Sequence, residues 1–546
     1  MKRKAVAAVL TAVMVASMFT GCGSDNGSSS AKSASAASAA SAANDTVDED
    51  GKVNGIMYQE GLPLVDEGDY TFSIFCDDSS ESGEFIMLDE FKKQTNVDVD
   101  LKIYPYETAT ERLNLDLNSG DYADVIGGWT LSDNAILTYG VNQGVFIPLE
   151  DYFEKYCPNI SAILDLPGVR EKMTAPDGHI YTIPYVCADT TVGYSPYINT
   201  KWLENVGMSM PTTTDEFEAV LKAFKEQDAN GNGDASDEIP FSTDPNNKHI
   251  EAMAGYFGLP MNKLGIAIQD EKVVYGGVSD TYREFLSWFH KLYAEGLVDV
   301  ELYTQDSSTW EGKGNQDLYG VSIAYGSNEF TGIPAAEERG DFDSMPVLNT
   351  DKDGIWLRDT EGFSVYRTQA VITNKAEHPE IICRWFDNAF ALENGIGCNR
   401  GPVGVIVNKE DDGYHAIDTT TLSEEDQEKY SWGNLWPQSL PKYLPADFEF
   451  VEEHPMYDEK KATEEAYEAN LTKEIIPSYW IDLDKIDTFS DTNTAIKDFF
   501  EQQQAQFVCG ELDIDNDADW QAYVDGMYSL GLEDWVATQG IEEIAK

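Results

Sequence analysis

Basic residues are scarce in this chain of 546 amino acids, in which 37 Lys and Arg stand against 98 Asp and Glu. The resulting formal net charge of -61 repels phosphate backbones and anionic lipid headgroups. We therefore expect no nucleic-acid partner. Most of the acidic residues are expected to form a solvated surface.

Long apolar runs are absent beyond the first residues, so we expect no later membrane span. Cysteine is also sparse: six residues follow Cys22, with no CxxC pair and no Cys/His cluster. So few cysteines in so long a chain do not make a disulfide scaffold, and they offer no zinc site. We expect these six thiols to be free and mostly buried.

The first residues have the pattern of an export signal. MKRK is a positively charged start, and the apolar run from Ala5 to Thr20 is too short to span a membrane comfortably. It ends in MFTGCGS, which resembles a bacterial lipobox with Phe19 in the position usually occupied by Leu. This resemblance makes 1–21 a lipoprotein signal peptide, Cys22 the lipidated residue, carrying fatty acids such as palmitate, and the Ser/Ala-rich segment 22–55 a flexible tether. The implied location is the extracytoplasmic face of the membrane, on a Gram-positive type of cell.

A βαβ unit is predicted after the tether. Tyr70 to Phe75 is β-rich, FIMLDEFKKQ has helical spacing, and alternating apolar residues from Val97 to Ile103 indicate a strand with one buried face. Such units form parallel sheets, and ligands meet the loops beyond the carboxyl ends of the strands. Trp129, in ADVIGGW, is expected at such an edge.

The stretch 174–240 is predicted to carry the chain from one lobe into another. Pro184 in HIYTIPYV argues against a central position in a sheet. Thr213 and Glu216 have capping-box spacing before an amphipathic helix. Chain length also favours at least two lobes.

An Asp- and Asn-rich loop follows that helix and predicts a structural calcium site. Oxygen-bearing side chains at alternate positions of a tight loop converge on one point, and glycines allow the turn. The spacing matches the start of an EF-hand loop, whereas position twelve is Ile239. The predicted ligands are Asp228, Asn230, Asn232, Asp234, Asp237 and Glu238, with the choice among Ser236, Asp237 and Glu238 open.

Several segments, in their order along the chain, resemble the large carbohydrate-binding solute-binding lipoproteins of bacterial ABC transporters. They are LNSGDYADVI, GVFIPLEDYFEKYCPN, TAPDGHIYTIPYV, WLENVGMSMPTTTDEFEAVLKAF with the metal loop, YAEGLVD and HPEIICRWFDNAF. The resemblance implies an α/β, periplasmic-binding-protein-like fold of type II, with a ligand cleft between two lobes joined by hinge crossovers. It also implies structural calcium in the loop.

The implied lobes are discontinuous in sequence. The N-terminal lobe is predicted from residues 56–184 and about 365–410, and the C-terminal lobe from residues 185–364 and about 411–546. Closure around a ligand excludes water and lets binding energy select the closed state. The expected protein is a monomer that captures an oligosaccharide and delivers it to ABC permease subunits.

Sugar sites combine flat aromatic rings with amide, carboxylate and arginine groups. Tryptophans in helical patterns are expected in the core, whereas those in polar or turn-rich segments are candidates for the cleft. Tyr185 is added for its place at the crossover and Arg358 as a forked donor. About half of the six tryptophans are expected to line the cleft. The predicted ligand set is Trp129, Tyr185, Trp310, Trp356, Arg358, Trp432, Trp436 and Trp480.

Three other functions stay open at this point. The same architecture also binds peptides or other solutes. A lipid-anchored glycoside hydrolase would need two carboxylates about 5 to 10 Å apart, and no recognisable catalytic motif supplies them. A tethered adhesin is the third. We expect a binding protein and not an enzyme.

Overall fold

The structure is a computed structural model that describes residues 45–78, 83–244, 249–332, 341–445, 448, 450–451 and 455–545. The predicted signal peptide and Cys22 lie outside these residues. Within the described ranges, no helix is both long and apolar enough to cross a membrane. The six cysteines after Cys22 are all free thiols; four are buried, Cys187 is half-buried and Cys509 is exposed.

Eighteen strands are present in the described part of the chain. They are β1 (Lys52–Val53), β2 (Met57–Tyr58), β3 (Tyr70–Asp77), β4 (Val97–Tyr104), β5 (Val125–Gly127), β6 (Thr182–Ala188), β7 (Ser195–Asn199), β8 (Ile239–Thr243), β9 (Ile266–Gln269), β10 (Lys272–Tyr275), β11 (Tyr319–Ala324), β12 (Phe342–Ser344), β13 (Trp356–Arg358), β14 (Phe363–Ile372), β15 (Val407–Glu410), β16 (Gly413–Ala416), β17 (Leu471–Ile475) and β18 (Glu543–Ile544).

The α-helices alternate with these strands. In the described ranges they are α1 (Ile86–Thr95), α2 (Tyr106–Ser119), α3 (Asp133–Ala135), α4 (Glu150–Tyr156), α5 (Pro158–Leu164), α6 (Val169–Met173), α7 (Thr200–Val206), α8 (Thr214–Glu226), α9 (Asp280–Ala294), α10 (Ser307–Asn315), α11 (Asn328–Thr331), α12 (Pro379–Ala389), α13 (Leu392–Arg400), α14 (Glu424–Lys429), α15 (Pro455–Tyr467), α16 (Ile486–Cys509), α17 (Asp517–Ser529) and α18 (Leu532–Thr538). A π-helical segment, Ile136–Asn142, follows α3, and short 3-10 turns include Ile250–Phe257 and Trp432–Asn434.

The first sheet has five strands in the order β4-β3-β5-β14-β6. β3 is parallel to β4 and β5, which confirms the predicted βαβ unit, and β14 is antiparallel to β5 and β6. β6 lies at the edge, the position compatible with Pro184. Alternate residues face opposite cores: Ile74 and Cys76 enter one cluster, and Phe75 enters another.

The second sheet has four strands in the order β12-β7-β11-β8. α8 packs its apolar stripe, Phe217, Val220, Leu221 and Phe224, into the same core as β7 and β11. The Thr213 side chain caps α8 by accepting a hydrogen bond from the Glu216 N–H at 3.2 Å. The helix and its cap were both predicted from the sequence.

The chain passes between the two sheets along β6 and β14. Both strands extend past the predicted boundaries at residues 184 and 365, because β6 continues to Ala188 and β14 starts at Phe363. The segment 435–443 also differs from the prediction. Trp436 and Leu440 lie in a core cluster of the first sheet, and Tyr443 bridges to Val186 of β6. These apolar contacts favour the first lobe for a segment that the sequence assigned to the C-terminal lobe; the lobe division itself stays a prediction.

Candidate functional site

Three aromatic rings meet where β6 and β14 leave the first sheet. Tyr185 and Tyr366 are paired across the two strands, and their rings are stacked with centroids 5.5 Å apart. Trp129 stands edge-on to both, at 5.2 Å from Tyr366 and 6.4 Å from Tyr185. We call these three rings the crossover aromatics. Trp129 is 46% exposed, so one of its faces is available to a ligand.

The backbone after β5 holds Trp129 at this edge. Its N–H donates to Asp77 Oδ1 at 3.0 Å, and the Thr130 N–H donates to Asp77 Oδ2 at 2.6 Å. Gly128 has φ +134°, and a Cβ there would lie 2.1 Å from Asp77 Oδ1, so only glycine fits. Burial raises the pKa of Asp77 above its ordinary value, and the two N–H bonds partly oppose that shift.

Asp189, directly after β6, connects groups of the two sheets. It accepts a hydrogen bond from the Tyr366 hydroxyl and another from the Tyr325 hydroxyl, both at 3.2 Å. Tyr366 is on β14 of the first sheet, whereas Tyr325 follows β11 of the second. Tyr194 stands edge-on to Tyr325 at 6.0 Å and stacks on His249 at 3.9 Å. The aromatic side chains therefore continue from the first sheet to the second.

Two lysines lie against these rings. Lys442 Nζ is 5.6 Å from the centroid of Tyr185 and 5.7 Å from that of Trp432, and Lys460 Nζ is 3.7 Å from that of Tyr325. Burial lowers the pKa of each ammonium to about 8. Trp432 is 51% exposed, so it presents a second open aromatic face near the crossover.

A polar cavity of about 370 Å³ lies beside the crossover. Its lining includes the charged side chains of Asp133, Arg358 and Asp359, together with Asn262, Gln539 and the exposed Tyr479. Arg358 is fixed by a bond from Nε to the Thr472 carbonyl at 3.1 Å. Burial raises the pKa of Asp359 to about 6, although the hydrogen bond that this carboxylate accepts from the Gly193 N–H acts to lower the pKa. Guanidinium, carboxylate, amide and phenol groups thus converge in a space the size of a small ligand site.

Three predicted ligand tryptophans are core residues and are removed from the candidate site. Trp310, Trp356 and Trp436 are 3%, 2% and 0% exposed. Their polar or turn-rich sequence neighbours misled the prediction, because contacts with distant segments bury these rings. Trp310 packs on Phe330, and Trp356 packs on Tyr256 and Tyr467.

Trp480 has a supporting position beside the cavity. Its indole N–H donates to the Lys172 carbonyl at 3.0 Å, and the guanidinium of Arg367 lies 4.1 Å from its ring centroid. Arg367 in turn pairs with Asp133 and donates to the Tyr479 carbonyl at 2.8 Å. Trp480 therefore orders the cavity wall, while Trp129, Tyr185, Trp432 and Arg358 remain as predicted residues near the crossover.

Sequence reasoning missed Tyr366, Tyr325, Asp189, Lys442 and Lys460. Tyr366 is identified only by its register with Tyr185, which depends on the pairing of strands far apart in sequence. Lys442 and Lys460 carry no motif. Asp189 had a signal, because it directly follows the predicted crossover strand.

The metal loop is ordered by its own side chains. Asp228 Oδ2 accepts from the Gly233 N–H at 3.0 Å, and the two Asp237 oxygens accept from the amides of Asn230 and Asn232 at 3.4 and 2.8 Å. Asp228 Oδ1 and Glu238 Oε2 are buried and have no hydrogen-bond partner among the described residues. Burial also raises the pKa of Glu238 above its ordinary value. Two unsatisfied carboxylate oxygens in one loop fit a hard cation.

Two crossover strands that carry half-buried tyrosine rings, with the exposed Trp129 and polar groups beside them, fit a solute-binding protein with a cleft between two lobes. Residues 78–395 match the family model of bacterial extracellular solute-binding proteins, and the chain belongs to that family. Its fold is the α/β, two-lobed, type II periplasmic-binding-protein-like fold, with the ligand cleft between lobes joined by hinge crossovers.

Individual relatives match over half of the chain or more. The fructooligosaccharide ABC transporter substrate-binding protein FusA of Streptococcus pneumoniae is 31% identical over 411 residues, which are 73% of this chain and 70% of FusA. The structure of FusA in complex with kestose covers 86% of this chain and 98% of that chain, at 27% identity and a TM-score of 0.75. A FusA EF-hand mutant in complex with fructo-nystose has the same coverage and identity, with a TM-score of 0.74. Lipoprotein LipO of Bacillus subtilis is 28% identical over 280 residues, 50% of this chain and 52% of LipO.

Proposed function

We propose that this protein captures an oligosaccharide in the cleft at the crossover aromatics and delivers it to an ABC permease in the membrane. The observation that carries this proposal is the half-exposed ring of Trp129, held against Tyr185 and Tyr366 on the strands that join the lobes. Sugar C–H faces pack on such rings, and the polar cavity beside them supplies donors and acceptors for hydroxyls. FusA, a fructooligosaccharide-binding protein, supports the same class of ligand.

The proposed ligand surface consists of Trp129, Tyr185, Trp432 and Arg358, extended by Tyr366 and Tyr325. Asp189 bonds to one tyrosine on each side of the crossover, so it is suited to couple ligand binding to lobe closure. The permease would recognise the closed, loaded monomer. The proposed activity is binding and release, without turnover of the sugar.

The proposed anchor is a lipid on Cys22, with residues 22–55 as a tether at the extracytoplasmic face of a Gram-positive type of cell. The support is the charged start, the apolar run and the lipobox-like MFTGCGS. Radiolabelled palmitate should enter the wild-type protein and not Cys22→Ala. Equal labelling of the two proteins would refute the anchor without affecting the binding proposal.

The proposed cofactor is a structural calcium ion in the loop 228–238. Asp228 and Glu238 would supply the oxygens that lack a partner, with Asp234 and the amide oxygens of Asn230 and Asn232 completing the set. Asp237 already accepts two amide bonds and Ser236 is bonded to Asp234, so Glu238 is the preferred ligand among the three. The proposal is supported by the description of a FusA variant as an EF-hand mutant, since FusA is a relative of this chain.

Calorimetric titration of the purified protein with a panel of plant and host oligosaccharides tests the proposed function. Saturable binding of at least one member with one site per chain is expected, together with no release of reducing sugar on prolonged incubation. If the protein binds peptides and no saccharide, its ligand class is peptide and the oligosaccharide proposal is wrong. Sustained reducing-sugar release would make the protein a hydrolase.

A further inference from the structure

Lys442 is buried and has no ion-pair partner among the described residues. It is 1% exposed, and its ammonium donates one hydrogen bond, to Gln438 Oε1 at 2.8 Å. No carboxylate of the described residues lies within 4.0 Å of it. By contrast, the largely buried Lys313 pairs with Asp299 at 2.9 Å and Glu301 at 2.8 Å. A buried charge without a counter-charge is costly, so this lysine is expected to have a partner that the isolated chain lacks.

The surroundings of Lys442 lie at the proposed ligand surface. Its ammonium occupies the gap between the rings of Tyr185 and Trp432. The segment that carries it is fixed to the first sheet, because the Gln438 N–H donates to Asp78 Oδ2 at 2.7 Å and Ser439 Oγ bonds to the Asp77 carbonyl. The fold therefore holds this lysine on a segment that is bonded to the end of β3, where Asp77 also accepts the Trp129 N–H.

The Trp432 ring is one of the two rings near the ammonium, with its centroid 5.7 Å from Nζ. The ring sits on the three-residue turn Trp432–Asn434 and is 51% exposed, and contact between a ligand oxygen and the buried Nζ requires this side chain to move. Lysine has three donors, and two of those on Lys442 have no acceptor in the described structure. A ligand rich in oxygen acceptors would satisfy them.

We propose that Lys442 is a specificity-determining residue that donates hydrogen bonds to an oxygen acceptor of the bound saccharide, in the gap between Trp432 and Tyr185. The inference rests on the proposed function. The acceptor is either a hydroxyl of a neutral sugar or the carboxylate of a uronate, since both offer oxygen lone pairs to an ammonium.

The test compares Lys442→Met, Lys442→Arg and wild type, with Lys313→Met and the exposed Lys409→Met as controls. Calorimetric titrations use kestose as a neutral trisaccharide and trigalacturonate as an anionic one. Lys442→Met should weaken binding of whichever sugar the wild type binds by about tenfold or more, and Lys442→Arg by less. Melting of the ligand-free protein should show Lys442→Met at or above wild type, Lys313→Met below it and Lys409→Met unchanged.

We expect Lys442→Met to lose affinity without losing stability. If Lys442 were needed only for folding, the substitution would lower both the stability and the affinity. A larger loss for trigalacturonate with a strong salt dependence identifies a carboxylate acceptor, and a loss for kestose identifies a hydroxyl. Binding by Lys442→Met within twofold of wild type, for every sugar that wild type binds, overturns this proposal and leaves the proposed function standing. Absence of binding by the wild type to any saccharide overturns both.

Discussion

The metal loop and the crossover aromatics are built in opposite ways. The loop takes all its oxygens from the single segment 228–238, whereas the rings near the crossover come from residues 129, 185, 366 and 432. The loop shows unsatisfied carboxylate oxygens, and the cleft shows half-exposed rings. The difference teaches that local side-chain spacing is enough to predict a loop within one segment, whereas the residues at the crossover come together only through the pairing of distant strands. Substitutions in the two regions should therefore have separate effects.

The largest expected effect separates an exposed tryptophan from a buried one. Trp356→Ala should lower the free energy of unfolding by about 3–5 kcal/mol, because it empties a core position between Tyr256 and Tyr467. Trp129→Ala should leave the melting temperature nearly unchanged and weaken oligosaccharide binding roughly tenfold or more. Chemical denaturation and calorimetry measure the two effects. Full affinity in Trp129→Ala would remove that ring from the ligand surface.

Calcium should act on stability through the loop. After chelation, adding calcium should raise the melting temperature. At a calcium concentration one hundred times the Kd, the expected gain in the free energy of unfolding is about 2.7 kcal/mol. Asp228→Ala should abolish the gain because it removes a carboxylate with an unsatisfied oxygen. Asp412→Asn, in the exposed group of Glu410, Asp412 and His415, is the matched control and should retain the gain. An equal gain in Asp228→Ala would refute the loop site.

The pH dependence of stability should report the buried charge of Lys442. Its pKa of about 8 in the folded protein lies below the ordinary value of 10.5, so the charged form destabilises the fold fully below pH 8 and progressively less up to pH 10.5. The difference in melting temperature between Lys442→Met and wild type should therefore be greatest at pH 7 and smaller at pH 9.5. Cys187, Cys398, Tyr185, Asp78 and Arg400 surround the amine.

Those five neighbours are present in both proteins, so their titration largely cancels in the difference. Melting curves at several pH values measure it. A difference that stays constant from pH 7 to pH 9.5 would contradict a buried, titrating ammonium.

The smallest expected effect concerns the connection between the lobes. Tyr366→Phe removes one hydrogen bond to Asp189 and leaves the stacked ring, so stability should fall by about 0.5–1.5 kcal/mol. Tyr325→Phe is the matched variant on the other lobe, and it removes the second bond to Asp189. Both should alter the ligand-induced change in radius of gyration measured by small-angle X-ray scattering. If both variants show the same ligand-induced change in radius of gyration as wild type, Asp189 does not couple the lobes.

Much of the fold could be predicted from local patterns. The βαβ unit around α1, the capped helix α8 and the edge position of Pro184 all follow from periodicity, capping residues and proline chemistry. The segment after α13 could not be predicted in the same way, because Trp436 and Leu440 lie in turn-rich sequence and only tertiary contacts reveal their burial.

The cleft was predicted only in part for the same reason. Trp129 was identified because it follows a strand of a parallel sheet, where ligands usually bind. Trp310 and Trp356 also lie in polar stretches of sequence, yet residues from other segments pack on their rings and bury them. Tyr366 and Lys442 have no local signal, since their roles arise from strand register and from an edge contact with β6.

A crystal structure of the protein with a trisaccharide that it binds would test the central claim most directly. The sugar should lie between the two lobes, with one ring packed on Trp129 and neighbouring units near Trp432, Tyr185 and Arg358. A saccharide bound away from the crossover, with the exposed face of Trp129 still open to solvent, would contradict the account.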